Sequence, residues 1–495
     1  MSEALDPTTP VVVATAEVVH RDDGTFVSSS ATDLMLEAVH AALASTDAAD
    51  GLGAATGAVF VPHGTWVESD PGRAVAAAIG SPTARSVRSE LGVLQHTLLS
   101  RAAVGVQSGE FDVAIVTGAE NRWSGVVAGK GGGAVPDAPA LAGGEPDEVL
   151  TPADPVVTPV EIDRNLATAA HQYAIIESAV RHELGRDVAT HQRALGELWA
   201  RFAAIAVDAP AAWDRRGLDA DAIALASDSN RMIAAPYAKW LISQWNVDQA
   251  AAFVLTTVGT ARRLGVPESQ WVFPASMVQS NLVVPMPERA EIFRWPAAGI
   301  VGRAALDAAG VGIDDLGPID LYSCFPSAVQ IQAREIGIPL DRDLTVTGGM
   351  TFGGGPFNSY SLQGAAAVVR ELRHATVPTF ALSTAVSGLC TKPASAVWTN
   401  RAPRRPFVAL DVTAEARAAT DRRPIDPDLT GAAVVVGATV VPGRDTVATV
   451  AVLESPGGVR TVAQSADPAV GERFSAVDPV GIAVDVTAPG TFVPA

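Results

Sequence analysis

Residues 351–359 read TFGGGPFNS. Glycines gather where a backbone turns sharply or comes close to something else. Two chemistries use such a run. One is a phosphate-cradling loop, but no Gly-Lys-Ser/Thr follows, so this is not a P-loop. The other is a dinucleotide fingerprint. Gly353, Gly355 and Asn358 have its spacing, yet the third glycine is missing and no acidic partner stands at the right distance. The polar residues Ser323, Asn358 and Ser359 come with no visible base. Two cysteines, Cys324 and Cys390, form neither a disulfide framework nor a metal-ligand cluster.

The elements that must position this loop are legible. Strand and helix alternate through the first 120 residues: a buried strand at 11–19 (VVVATAEVV), an amphipathic helix at 32–45, a strand at 58–61, a helix at 95–108 and a strand at 113–117. That is a layered α/β unit. The order returns later, with a helix at 298–310, a strand at 319–322, a helix at 363–373 and a strand at 379–383. Val59 to Ile115 spans 56 residues and Asp320 to Ala381 spans 61. We read an internal duplication. Between the halves lie a Gly/Pro-rich loop at 130–158 and a long helical stretch at 164–207 bearing Arg181, Arg186, Arg193 and Arg201. Past Pro403 the texture becomes short strands divided by Gly, Pro and Asp turns, from VALDVTAEA to GIAVDVTAPG. This predicts a separate small antiparallel β-barrel. The expected boundaries are 1–125 for the first half, 126–235 for the insertion, 236–402 for the second half and 403–495 for the barrel.

The 495 residues are 48% apolar and 18% charged, with a net charge of −19. The chain has ample core for several domains. Its acidity argues against a nucleic-acid partner, which needs a basic face. No apolar run approaches the roughly 18 residues of a membrane helix. The start MSEALDPTTP shows no signal peptide, so the cytoplasm is the expected compartment.

Four segments carry a family resemblance. SGEFDVAIVTGAEN looks like the thiolase segment that ends the nucleophile-bearing helix. NVDQAAAFVL looks like that family's "sDGAAA" helix start. IDLYSCFPSAVQIQAREIG matches the segment holding "NEAF", or "HDCF" in the sterol-carrier-protein type. TVTGGMTFGGGPFNS matches the loop "vNxxGGaxxxGHPxGaSG". The chain thus resembles the thiolase superfamily over about its first 400 residues. With the added β domain it is most similar to the thiolase-like protein type 1 and sterol-carrier-protein-type group, acetyl-CoA acetyltransferases by relation. The resemblance implies an α-β-α-β-α layered, duplicated fold with a helical loop insertion, plus the β-barrel, here expected to be OB-like. It also implies coenzyme A or an acyl-CoA as ligand, with no covalent cofactor and no metal, and a place in lipid metabolism.

The reactive groups are not where the resemblance puts them. The nucleophilic cysteine, normally a thiolate at a helix start, falls on Gly92. The activating histidine falls on Gly355, in GGP rather than GHP. The second cysteine, of CxG, falls on Val386. The histidine of HDCF falls on Tyr322. Cys324 keeps its place in that motif and reads either as an acid or alternative nucleophile, or as a small buried strand-end residue. The lack of a histidine to activate it favours the second. Tyr322 reads as a hydrogen-bond donor to substrate or as a half-buried strand aromatic. His96, a turn past Gly92, either faces the pocket or is an ordinary helix residue. Ser323, Phe325, Gly354, Pro356 and Asn358 are carried over as substrate-binding positions. Arg181 and Arg186 fall where thiolases hold the nucleotide end of coenzyme A.

Two functions follow as expectations. One is an acyl-CoA-binding protein of acetyl-CoA acyltransferase descent without ordinary thiolase activity. The other is an active acyl-CoA-dependent acyltransferase or lyase using altered residues. Thiolases pair through the strand before the nucleophile turn. Here that stretch, TARSVRSELG, carries Arg85, Arg88 and Glu90. Charges on an edge strand oppose pairing, so a monomer or weak dimer is expected. The barrel is the expected docking point for any protein partner.

Overall fold

The computed structural model describes residues 5–495 apart from 22, 23, 25, 132, 133 and 445. The first half supplies β1 (Pro10–Val19), β2 (Thr56–Pro62), β3 (Arg85–Ser89), β4 (Val113–Asn121) and β5 (Glu148–Leu150). After a short ribbon, β6 (Met232–Ala234) and β7 (Tyr237–Ala238), comes β8 (Asp248–Thr257). The second half supplies β9 (Phe273–Gln279), β10 (Leu316–Asp320), β11 (Phe380–Ser387), β12 (Lys392–Thr399) and β13 (Val408–Asp411). They form two sheets, ordered β1-β8-β4-β2-β3-β5 and β10-β11-β12-β9-β13.

The duplication is visible in how the strands pair. β1 is antiparallel to β8, β8 to β4, and β4 is parallel to β2. In the same way β9 is antiparallel to β12, β12 to β11, and β11 is parallel to β10. The segment NVDQAAAFVL is not a helix start, as its resemblance suggested, but β8. Its nine residues from Asp248 to Thr256 are all buried. It lies between two strands with both faces covered, so an unbroken apolar run suits a strand better than an alternating one.

Two helices, Gln95–Gln107 and Tyr360–His374, fill the space between the sheets. One apolar cluster joins Leu98, Leu99 and Ala102 of the first to Leu362, Ala365 and Val369 of the second, and both to Phe253, Ala381 and Trp398 of the strands. The Ala31–Ala44 helix covers the outer face of the first sheet, and the Pro296–Ala309 helix that of the second. The layers are α-β-α-β-α. The long helical stretch of the insertion is two helices, Ala169–Glu183 and Val188–Asp208. Gly185 breaks them with a φ of 62°, and Asp187 caps the second by accepting from the Thr190 N–H at 2.8 Å.

The C-terminal strands β14 (Gly431–Pro442), β15 (Val447–Glu454), β16 (Arg460–Ser465), β17 (Ala483–Ala488) and β18 (Thr491–Pro494) close a barrel in the order β14-β15-β16-β18-β17. All its pairings are antiparallel except the closing contact of β16 with β18, which is parallel. The helix Pro468–Ala476 buries Val470 and Phe474 in its core. The expected boundary at 403 is too early. The texture past Pro403 puts residues 408–411 in the barrel, but β13 runs parallel to β9 in the second sheet. Ala416, on the turn of helix that follows, joins the same second-half core. The barrel begins at Gly431.

The strand expected to face a partner subunit, β3, is not an edge. β5 runs parallel beside it, pairing Val87 with Glu148 and Ser89 with Leu150. The charges read as obstacles to pairing are matched within the chain. Arg85 bonds Glu148 at 2.6 Å and Glu110 at 3.2 Å, and Arg88 bonds Glu90 at 2.7 Å. The exposed edge is therefore three residues long, one common way of blunting it. We expect sedimentation equilibrium at micromolar protein to give a monomer mass independent of concentration. A dimer that persists in high salt would contradict this.

Candidate functional site

The glycine-rich loop is held against its own chain. Gly348, Gly349 and Gly354 have φ of 87°, 70° and 100°, values that side chains rarely allow. The Gly353 carbonyl accepts from the Trp213 N–H at 3.1 Å and from Gln249 Nε2 at 2.8 Å, and the Gly355 N–H donates to the Gln244 carbonyl at 2.8 Å. A Cβ at Gly355 would stand 3.2 Å from both the Met350 carbonyl and Ser243 Cβ. Thus the position matched to the catalytic histidine has lost its imidazole and is tightly walled. Pro356 is buried beside it, and its carbonyl accepts from the Ser359 N–H at 2.7 Å.

Asn358 ties the loop to the other half. Its Nδ2 donates to the His63 carbonyl at 2.7 Å, and its Oδ1 accepts from Gln95 Nε2 at the start of the Gln95–Gln107 helix. Gln95 in turn accepts from Ser361 at 3.0 Å. Ser323 is equally committed: its Oγ accepts from the Met350 N–H at 3.1 Å.

Gly92 precedes that helix with a φ of 97°. Its carbonyl accepts from the ammonium of Lys392, a residue only 3% exposed. A Cβ at Gly92 would stand 3.9 Å from Lys392 Nζ and 3.1 Å from Pro152. Lys392 opens β12 opposite Ser387, and the next pair in the ladder joins Pro393 to Val386. The amine of Lys392 therefore reaches one position that matches a cysteine, Gly92, while its backbone lies one ladder step from the other, Val386. Burial lowers its pKa, with Asp154 opposing. No motif pointed to Lys392. A lone lysine in the otherwise uncharged strand KPASAVWT was the available signal.

Cys324 is buried under an aromatic cover. Phe325 stacks on Tyr173 at 4.5 Å and lies 5.5 Å from Tyr237. The Tyr173 oxygen accepts from the Cys390 N–H at 2.7 Å, and the buried Arg289 holds the same hairpin through the Leu389 carbonyl at 2.6 Å. Burial pushes the Cys324 and Cys390 thiols up, although a bond from Tyr173 opposes this at Cys324 and Arg289 opposes it at Cys390. Such thiols are inert rather than nucleophilic. Tyr322, half-buried, meets Tyr360 edge to face at 5.8 Å, and burial and Cys324 raise its phenol. Arg181 lies eight residues beyond Tyr173, about 12 Å along the helix. It is buried against the barrel with Asp478 at 3.3 Å. Arg186, half-buried, follows the turn, its N–H on the Arg181 carbonyl at 3.2 Å. The structure thus brings together Gly92, Gly355, Asn358 and Val386 around the two halves' junction, and turns Arg181 to the barrel.

No protein-family model and no curated protein matches the chain. Solved structures do. A monomeric SCP2-thiolase-like protein type 1 from Mycobacterium smegmatis is 28% identical, covers 99% of this chain and 100% of its own, and superposes with a TM-score of 0.84. The chain belongs to the thiolase superfamily. Two further thiolase-fold structures share the architecture at lower identity. An Ltp2-ChsH2(DUF35) aldolase is 20% identical over 80% of this chain and 99% of its own, with a TM-score of 0.57. An acetyl-CoA acetyltransferase from Syntrophomonas wolfei is 17% identical over 80% and 100%, with a TM-score of 0.57.

Within this thiolase fold, His96 is a core residue. It is 1% exposed, its Nε2 lies 3.3 Å from Ser383 Oγ, and burial lowers its pKa to about 4. Between about pH 6.5 and 4 the unfolded chain therefore binds a proton that the folded chain refuses. Stability should fall by roughly 3 kcal/mol as pH drops through that window. Urea unfolding across pH checks this, and His96→Gln should flatten the slope. A thiol reagent should label neither cysteine in the native protein and both after denaturation. Rapid native labelling of Cys324 would restore it as a nucleophile.

Proposed function

We propose that this chain binds acyl-coenzyme A esters, as a protein of acetyl-CoA acyltransferase descent, and does not perform ordinary thiolysis or Claisen condensation. The contact between Lys392 and the Gly92 carbonyl carries the reading. Where a thiolase needs a thiolate at a helix start, this chain has a bare glycine whose carbonyl is already engaged by an amine. Gly355 and Val386 provide no base and no second thiol. Covalent acyl transfer through sulfur then has no carrier, which costs orders of magnitude in rate. A place in lipid metabolism accords with this reading. Among the described residues no helix is long and apolar enough to cross a membrane.

Lys392 also favours a second reading, a lyase with altered groups, and one fold neighbour is by its title an aldolase. A buried amine with a lowered pKa can add to a ketone. A C–N bond forms, water leaves, and an imine results. Calorimetric titration with coenzyme A and a panel of acyl-CoA esters tests the first reading. We expect saturable binding and no acetoacetyl-CoA thiolysis above background. Borohydride added with a 3-ketoacyl-CoA separates the two. Irreversible mass gain at Lys392, lost in Lys392→Met, would establish the lyase reading. Binding without mass gain supports the first, and absence of binding sinks both.

A further inference from the structure

A cavity of about 350 Å³ is lined by none of these groups. Its walls are Glu17 and its neighbours on β1, Pro210 and Ala211 after the insertion helices, and Arg370, Arg373 and His374 at the end of the Tyr360–His374 helix. Cations suit the C-terminal turn of a helix. Two arginines and a histidine within five residues exceed what that explains, because their partners do not balance. Arg370 is matched: it bonds Glu17, and Glu371 lies 3.4 Å away. Arg373 is not. Its Nε donates to the Gln270 carbonyl at 2.9 Å and its Nη1 to Thr15 Oγ1 at 3.3 Å, both neutral. Its Nη2 is buried, and among the described residues it has no hydrogen-bond partner.

Arg373 is half-buried, and a cation drawn out of water without a counter-charge is costly. Burial alone, with nothing opposing it, lowers the Arg373 guanidinium to about 10. It is still charged at neutral pH. Residues 370 and 373, three apart, share one face of the helix, and a guanidinium offers a planar fork of donors suited to oxyanions. The cavity is of ligand size. We propose that Arg373, with Arg370 and His374, forms a binding site for a small oxyanion, either free phosphate or the phosphate end of a larger molecule.

The site touches the glycine-rich loop through one side chain. Gln249 Nε2 donates both to the Ala211 carbonyl at 2.9 Å, on the cavity wall, and to the Gly353 carbonyl at 2.8 Å. Arg21 Nε holds the Ala212 carbonyl of the same segment at 2.6 Å. The inference does not depend on acyl-CoA binding.

Calorimetry of the full chain with sodium phosphate at neutral pH tests it, with a phosphate monoester such as glycerol 3-phosphate as the second arm. We expect one site with a dissociation constant of about 1 mM or tighter. Phosphate should raise the wild-type melting temperature, and Arg373→Gln should weaken binding by about tenfold or more. Tighter binding of the monoester identifies a phosphorylated ligand, and equal binding identifies free phosphate. Should Arg373→Gln not fold, Arg373→Lys keeps the charge without the fork and should bind more weakly. No heat and no melting shift with folded wild-type protein overturns the proposal. So does a folded Arg373 variant that binds as the wild type does.

Discussion

The junction between the two halves rests on a short chain of side-chain bonds at the helix starts. Gln95 stands at the head of one buried helix, and Asn358 and Ser361 stand at the head of the other. Both helices are enclosed by sheets, so neither can turn a polar end to water. Neither first turn carries a side-chain cap, and the two ends are tied to each other by bonds between their side chains. This fixes the distance between Gly92 and the glycine loop. The same geometry explains why small residues crowd there. Backbones held this close leave no room for a Cβ at Gly355 without displacing Ser243 or the Met350 carbonyl.

The positions matched to the family's reactive groups are closely packed by the chain's own atoms. Lys392 crosses to Gly92, Phe325 lies on Tyr173, and Asn358 spans to His63. Each contact replaces solvent or substrate with the protein's own atoms. A buried ammonium resting on one carbonyl is an expensive way to fill space, since it carries a charge into low dielectric. That cost is the reason Lys392 stands out chemically. The thiols of Cys324 and Cys390 are the opposite: burial makes them cheap apolar filler.

How much of this was readable in the sequence divides along the range of the interactions. Alternating strands and helices, and the repeat of one half in the other, are local patterns, and β2, β4, β10 and β11 lie where the spacing put them. β13 and β14 show the limit. Both read as short strands after a proline-rich turn, yet one completes the second sheet and the other opens the barrel. Nothing local decides between them, because the choice is made by which sheet has an unfilled edge. The four positions matched to the family's reactive groups rest on motif alignment. Lys392 does not, since its partner is 300 residues away. The resemblance puts Arg181 where thiolases hold the nucleotide end of coenzyme A, whereas its partner, Asp478, is 297 residues further on. Long-range side-chain pairs leave no periodic trace.

The covering of β3 by β5 changes what kind of quantity the stability of this molecule is. When a sheet edge is completed by another subunit, the folded state gains from mass action and weakens on dilution. Here the strand that completes it is tethered about 60 residues along the same chain, so the pairing is unimolecular. Its strength is the same in a crowded cell or at the lowest working dilution. β3 itself therefore offers no free ladder for a neighbouring subunit to join.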